Sequence, residues 1–458
     1  MWRRRGRWKK SWPASTPRSS AVVTGSAPPT PSLTWVETPS QPCVWSPPPT
    51  PPCTPVCVLL MVFEAPTITG LAHRVGAATT TQAVPALVAG ERPPRVPLSF
   101  AQSRVWFLEQ LQGPSAVYNI PVVLHLDGPL DTEALRAALT DLITRHETLR
   151  TRFSTTSEGI GYQDILTPNQ ADMSWQVVDA RGWTPQHLHT AIDEATNYHF
   201  DLAAEIPIRA TILHTADHQH VLVLLIHHIA ADGWSLGPLA RDLDTAYTAR
   251  LHRHPPAWVP LPVHYADYTL WHHQLLGDPH DPARLLATDL AYWQHTLAGL
   301  PEHLPLPTDR PYPPIADYRG ASHQFSWPPE LTTAIHTLAH THHVSVFMVI
   351  HAALTVVLAT LADTNDIAIG VPIAARTHPH LDELIGFFVN TLVLRTHTHP
   401  ADTPTELLAQ KTSAKRPKRR FRLGGFASWH AVGEGDREGV QCWFPAHRPS
   451  LLSGSGWI

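Results

Sequence analysis

The sequence predicts an α/β protein built as two successive lobes, and three observations carry that reading. The apolar, β-branched run over 221–226 suits a strand buried on both faces. After Gly233, apolar residues recur at Leu236, Leu239, Leu243 and Tyr247, the three-and-four spacing of an amphipathic helix. Strand and helix signals then continue past residue 271, so the alternation is repeated in a second block.

Taken in order, the regular pattern begins at residue 97. Residues 118–126 read as a strand. Asp131 is a candidate N-cap for a helix that carries Leu135, Ala138, Leu139, Leu142 and Ile143 on one face. Arg209 opens a short β-rich run that leads to the strand over 221–226. In the second block, 345–362 reads as a long apolar helix and 366–373 as a buried strand. Helical periodicity lasts through Leu407, Leu408 and Ala409, and a basic segment without a period starts at Lys415.

Composition narrows the classes. Charge is near balance, 34 basic against 38 acidic residues, which favours neither nucleic acid nor a membrane surface as partner. The four cysteines, Cys43, Cys53, Cys57 and Cys442, leave 58–441 without any, so no disulfide framework crosses the core, as befits the cytoplasm. Cys53 and Cys57 have no second ligand pair at zinc-finger spacing. The basic start has no apolar core after it and the apolar run over 56–63 is too short to span a bilayer; no signal peptide or transmembrane helix is expected. The 46 prolines are unevenly placed: residues 1–61 hold 13 of them with five tryptophans and no sustained period.

The most informative string is His227-His228-Ile229-Ala230-Ala231-Asp232-Gly233-Trp234-Ser235, at the junction between the buried strand and the helix. Polar residues on such a junction sit where α/β proteins commonly place chemistry. An imidazole there can take a proton near neutral pH. Neighbouring strand residues point to opposite faces, so one of His227 and His228 reaches substrate. Asp232 is placed to orient a ring or to pair with a buried Arg, and Gly233 suits a turn too tight for a Cβ. His-His alone means little in a chain with 31 His, where it recurs at 272–273 and 342–343. Zinc held by His227, His228 and Asp232 is opposed by divergent side chains and by the lack of a nearby third His or Cys.

The full string resembles the HHxxxDG signature of the condensation-domain superfamily of nonribosomal peptide synthetases. Four more segments resemble family motifs in family order: 98–108 (Leu-Ser-Phe-Ala-Gln-Ser-Arg-Val-Trp-Phe-Leu), 145–153 (Arg-His-Glu-Thr-Leu-Arg-Thr-Arg-Phe), 265–271 (Tyr-Ala-Asp-Tyr-Thr-Leu-Trp) and 385–391 (Ile-Gly-Phe-Phe-Val-Asn-Thr) with Arg395. The opening motif, with 113–121 after it, is similar to the subtype joining an L-donor to an L-acceptor. The resemblance implies two chloramphenicol-acetyltransferase-like lobes in a V arrangement, 97–270 and 271–414. The family's sixth and seventh motifs are not matched, so the second lobe is expected to be incomplete and 415–458 to be an irregular basic tail. Residues 62–67 resemble the end of a carrier (thiolation) domain, making 62–96 a carrier remnant and linker. No phosphopantetheine-bearing serine motif precedes it, and Ser46 stands among prolines. Residues 1–61 and the tail are therefore expected to be out of the ancestral reading frame.

The resemblance implies amide-bond formation between acyl and aminoacyl thioesters in secondary-metabolite or antibiotic biosynthesis. The partners are an upstream donor and a downstream acceptor peptidyl carrier domain and a neighbouring adenylation domain. Substrates ride on the carriers' phosphopantetheine, and the domain binds no metal or cofactor of its own. The candidate catalytic set is His228, Asp232 and Gly233, with His228 as base or as aligner of the amine. His227, Trp234, Ser235, Asn390 and Arg145 support it. Asp232 is expected to pair with Arg310, Arg376 or Arg395, and Gly233 to bring backbone close to the thioester carbonyl. Asn390 is a tunnel-lining donor or a turn former. Arg145, His146, Arg150 and Arg152 are expected to support the fold, and Trp106 and Trp271 to lie in the core. Epimerisation domains share HHxxxDG, but the opening motif here favours condensation. Acyl-CoA-dependent acyltransferases share HxxxDG, but the DFGWG motif of plant-type members is absent. An inactive truncated fragment is the third alternative.

Overall fold

The structure, a computed structural model, describes residues 85–301, 303–311, 323 and 325–414, the last four by backbone alone, together with two short strands. Those strands, Ser20–Val22 and Thr34–Val36, pair antiparallel in a unit that ends at Val84; the second unit begins at Pro85. Otherwise the expectations for 1–61, for the carrier remnant at 62–84, for the tail at 415–458 and for the four cysteines lie outside the described residues.

The first lobe is organised by one strand. β1 (Val96–Pro97), α1 (Phe100–Gln112), β2 (Asn119–Asp127), α2 (Thr132–Arg145), β3 (Thr151–Thr155), β4 (Gly161–Ile165), β5 (Ser174–Asp179), α3 (Pro185–Thr196), β6 (Ile208–Ala216), β7 (Gln219–His227) and α4 (Leu236–Leu251) follow in that order. The main sheet runs β2-β7-β6-β5, with β7 antiparallel to both neighbours and β5 parallel to β6. From His220 to His227 every residue of β7 is buried. Its near-continuous apolar run reflects coverage on both faces rather than a parallel ladder. On one face Leu222 and Leu224 pack with Leu135, Leu139 and Leu142 of α2 and Leu239 of α4. On the other, Val221 and Val223 pack with Leu213 and with Ile192 of α3.

Local signals agree with this layering. The Asp131 side chain accepts the Ala134 N–H at 2.9 Å, and all five apolar residues expected on the α2 face are buried. Trp106 and Trp271 are both 8% exposed, in the core as expected. A second, three-stranded antiparallel sheet runs β1-β4-β3.

Two boundaries differ from the expected ones. Residues 85–96 read as linker by composition, yet they are packed. Leu87 is buried, Trp271 Nε1 donates to Pro85 O at 2.7 Å, and Arg92 forks onto Asp267 at 2.9 and 3.0 Å while reaching Glu147 at 2.8 Å. The helix α5 (Tyr265–Leu276) runs through the expected lobe boundary at 270/271, because Tyr265, Tyr268 and Trp271 share one buried face.

The second lobe, among the described residues, comprises α6 (Leu285–Thr296), α7 (Pro329–Thr341), α8 (Val346–Leu361), the antiparallel pair β8 (Asp366–Ile373) and β9 (Asn390–His397), and α9 (Pro404–Ala414). Ser345 caps α8 as its position before the apolar run requires, its Oγ accepting the Met348 N–H at 3.3 Å. Arg395 of β9 grips Asp366 of β8 and donates to Thr296 O and Ala298 O after α6. β8 was expected to be buried. Only Ile367 and Ile373 are, because β9 is its one partner strand among the described residues. Val356, Val357 and Leu361 of α8 are likewise exposed. Among the described residues no single helix is long and apolar enough to cross a membrane.

Leu139 and Leu142, both fully buried between α2 and the sheet, define the stability of the first lobe. Leu139→Ala and Leu142→Ala are each expected to cost about 2–5 kcal/mol, read as a lower urea midpoint at unchanged slope.

Candidate active site

The chain turns as soon as β7 ends. His227 N–H donates to Pro207 O at 3.0 Å and His228 N–H to Tyr118 O at 2.7 Å, so strands on both sides fix the turn. Ala230 N–H closes it onto His227 O at 3.0 Å. The two imidazoles leave in different directions, as strand geometry requires.

His227 is 1% exposed and lies among the rings of Phe200 and Tyr118, at centroid distances of 5.9 and 6.2 Å. The Ile229 N–H donates to its Nδ1 at 3.2 Å, which makes that nitrogen an acceptor and the ring the neutral Nε2–H tautomer. Burial holds His227 below the ordinary imidazole range, against the pull of the Glu109 carboxylate. His228 is half-buried, edge-on to Phe387 at 4.8 Å, and its buried Nδ1 has no hydrogen-bond partner of normal geometry. Burial lowers its pKa as well, with the Asp232 carboxylate opposing the shift. At neutral pH His228 is therefore an unprotonated base.

Asp232 anchors the turn. It is fully buried, and both oxygens are occupied. Oδ1 accepts from Ser235 N at 3.0 Å, Ser235 Oγ at 2.8 Å and Arg376 Nη2 at 3.2 Å; Oδ2 accepts from Phe388 N at 3.0 Å. Arg376 thus wins over Arg395, which is spent on Asp366. The Arg376 guanidinium also donates to Ser235 Oγ and to the carbonyls of Leu381 and Leu384, and lies 4.2 Å over the Phe388 ring. Ser235 Oγ in turn accepts the Gly386 N–H at 3.1 Å and lies 3.0 Å from Gly386 O, which competes with Asp232 for its one proton. The motif of the first lobe is knitted to the 376–388 segment of the second through one carboxylate, one guanidinium and one hydroxyl.

Two expectations are set against the geometry. Asp232 stands in the candidate catalytic set, and in the structure it is fully buried with both oxygens engaged in holding the turn. Gly233 was read as a turn too tight for a Cβ. Its φ is ordinary and a Cβ there would meet nothing within 4 Å. The glycine leaves open space beside the exposed backbone instead. The sterically required glycine is Gly386, where a Cβ would fall 2.3 Å from Tyr265 Cδ2.

The remaining predicted residues spread out from this centre. Trp234 is 37% exposed, next to Gly233. Asn390 opens β9, and its Oδ1 acts as acceptor, for Arg104 Nη1 at 2.8 Å and Thr391 N at 2.9 Å. Arg145 lies outside the site: it holds Asp242 at 2.8 Å and Val259 O at 2.9 Å and stacks on Trp258. His146 shares Asp242, Arg152 pairs with Asp164, and Arg150 donates to Leu166 O, all within the fold. Among the described residues no group of three or more His, Cys, Asp or Glu is arranged to hold a metal ion.

Sequence reasoning missed the support from α1 and α5. Ser99 and Gln102 form a capping box whose three-residue spacing is a readable signal. Gln102 Nε2 reaches Ile229 O at 3.3 Å, inside the turn. Tyr265 Oη donates to Phe387 O at 2.5 Å and pairs with Ser99 Oγ at 2.8 Å; burial pushes its pKa well above the phenolic range.

The family profile of the condensation domain matches residues 94–419. The chain belongs to the condensation-domain family. Its relatives are nonribosomal peptide synthetases. It is 50% identical over 324 residues to an isonitrile lipopeptide synthase of Mycobacterium tuberculosis, covering 71% of this chain and 13% of that protein. It is 46% identical over 347 residues to a dimodular nonribosomal peptide synthase of Bacillus subtilis, covering 76% and 14%. The chain thus spans about a seventh of the length of these two relatives. Among solved structures, the X-domain from teicoplanin biosynthesis, in complex with OxyB, superposes with a TM-score of 0.69 at 29% identity over 77% of this chain and 76% of that one. The first condensation domain of the CDA synthetase shares the fold, with a TM-score of 0.57 at 21% identity over 75% and 80%. Condensation domains carry the two-lobed, chloramphenicol-acetyltransferase-like α/β fold. They work beside carrier domains in multidomain synthetases, and their function is peptide-bond formation.

Two outcomes follow from this condensation-domain site. Arg376→Met leaves the Asp232 carboxylate buried without its counter-charge, and is expected to lower unfolding free energy by about 3–5 kcal/mol in denaturant titration. His146, His227 and His228 all have folded pKa values below the ordinary one. Below pH about 6.5 the unfolded chain therefore binds more protons than the folded one. Stability is full above that pH and is expected to fall as the pH drops through it, measured as the thermal midpoint between pH 7.5 and 5.

Proposed function

We propose that residues 94–419 join two carrier-bound thioesters, with His228 handling the proton of the attacking amine. The amine nitrogen of the downstream aminoacyl thioester attacks the upstream thioester carbonyl carbon. The new C–N bond forms as the C–S bond breaks, the amine proton passes to His228, and the leaving sulfur takes a proton to become the free thiol of the upstream carrier. Aminolysis of a thioester is already downhill, so placing the two reactants contributes most of the acceleration.

One observation carries this reading. Within the HHxxxDG turn, His228 alone combines a titratable ring near neutrality with partial access to solvent, while His227 and Asp232 are sealed. The exposed Gly233, with open space where a side chain would stand, supports approach of a thin pantetheine arm beside it. The thioesters arrive on the phosphopantetheine of an upstream donor and a downstream acceptor carrier, as substrates, with an adenylation domain loading them. No resident cofactor enters the reaction. The reading places this chemistry in the cytoplasm, where loaded carriers are found.

The test is dipeptide formation by the full chain on aminoacyl-loaded carriers. His228→Ala is expected to lower the rate about 10²–10⁴-fold with little change in thermal midpoint. An unchanged rate removes His228 from the reaction. Because burial lowers the His228 pKa, wild-type kcat/KM is expected to stay flat as the pH falls to about 6.5 and to decline only below it.

A further inference from the structure

Helix α1 turns a mixed face toward the site. Its buried residues are Gln102, Val105, Trp106 and Glu109, the spacing of one helical stripe, and two of the four are polar. Buried polar side chains need partners; Gln102 finds its own on the turn after β7, and Glu109 faces the last residue of β7. Gln102 Nε2 holds Ile229 O at 3.3 Å while its Oε1 accepts the Ser99 N–H at 3.0 Å. Glu109 Oε1 lies 3.4 Å from His227 Nε2, with side chains 7% and 1% exposed.

The proton on His227 is decided by these neighbours. Nδ1 already accepts the Ile229 N–H, so the ring proton belongs on Nε2, facing Glu109. Moving it to Nδ1 would set N–H against N–H at Ile229 and a nitrogen lone pair against a carboxyl oxygen at Glu109. Both contacts would turn repulsive together. The pocket is walled by Phe200 and Tyr118, where electrostatic terms are weakly screened. At 3.4 Å the Glu109 contact is long for a hydrogen bond, and the partial negative charge of an acceptor oxygen opposite Nε2 carries it.

We propose that Glu109 is a positioning residue: it keeps the His227 proton on Nε2, frees Nδ1 to hold the Ile229 amide, and so fixes the turn that presents His228. It touches neither substrate nor His228. The inference rests on the reading of His228 as the proton-handling group. Glu109 lies outside the HHxxxDG string and is brought to it by the α1 stripe.

Glu109→Gln keeps an acceptor oxygen, and Glu109→Leu removes it. The full chain and both variants are compared in dipeptide formation and in hydrogen exchange of the Ile229 amide. Glu109→Leu is expected to lose about 100-fold in kcat at unchanged KM for the loaded carriers. Its Ile229 amide is expected to exchange about tenfold faster. Glu109→Gln should restore both to near wild type. Unchanged kcat and unchanged Ile229 exchange in Glu109→Leu overturn the proposal, as does a Gln variant as impaired as the Leu one. A loss that falls on KM alone also overturns it. If Glu109→Leu does not fold, Glu109→Met is the second apolar replacement, read by the same two measurements. If wild type forms no dipeptide, the proposed function fails, and the Ile229 exchange still decides the role of Glu109.

Discussion

The buried contact between Asp232 and Arg376 is the constraint on which the rest of the site depends. Removing a carboxylate and a guanidinium from water costs several kcal/mol each, and attraction alone does not assure a net gain. Here the remaining hydrogen-bond capacity is also used. Asp232 accepts from Ser235 and from the Phe388 amide, while Arg376 caps the Leu381 and Leu384 carbonyls and lies against the Phe388 ring. Nothing hydrophobic of the same shape could hold four backbone groups and two lobes in one register. The pair therefore gives the turn a single geometry, and that geometry aims His228.

One dipeptide supplies two different histidines. His227 and His228 have the same intrinsic chemistry, and both are pushed toward the neutral state by burial. Their roles diverge because a strand sends them to opposite sides. His227 spends Nδ1 on the Ile229 amide and turns Nε2 toward Glu109 at 3.4 Å, whereas His228 keeps its ring partly in the open beside Phe387. The architecture converts a repeated residue into a sealed support and a ring open to solvent.

Much of this was legible in the sequence. The buried strand, the helix after it and the Asp131 cap follow from local periodicity and capping chemistry, which depend on neighbours along the chain. The motif residues were also found, since their spacing is itself the signal. The contacts that aim them were harder to read. Arg376 was one of three equal candidates because its choice is made by packing across 144 residues of chain. Glu109 looked like an ordinary helix glutamate, and only its place on a buried stripe marks it. Gly233 and Gly386 exchanged importance for the same reason: the tight approach is made by the Tyr265 ring, which lies far off in sequence. Composition misled at 85–96, where alanine, glycine and proline suggest slack but Leu87 and Arg92 do the docking.

That docking changes a length. Residues 85–96 are twelve in number, and an unpinned chain of that size reaches at most about 40 Å when extended. With Arg92 clamped and Pro85 held by Trp271, those residues add nothing to the tether of whatever is attached upstream. A shorter leash searches a smaller volume, which raises the effective concentration of its cargo at reachable sites and puts distant ones out of range. A clamp of this kind bears on encounter frequency, a kinetic property, from a segment that ends just before the first motif.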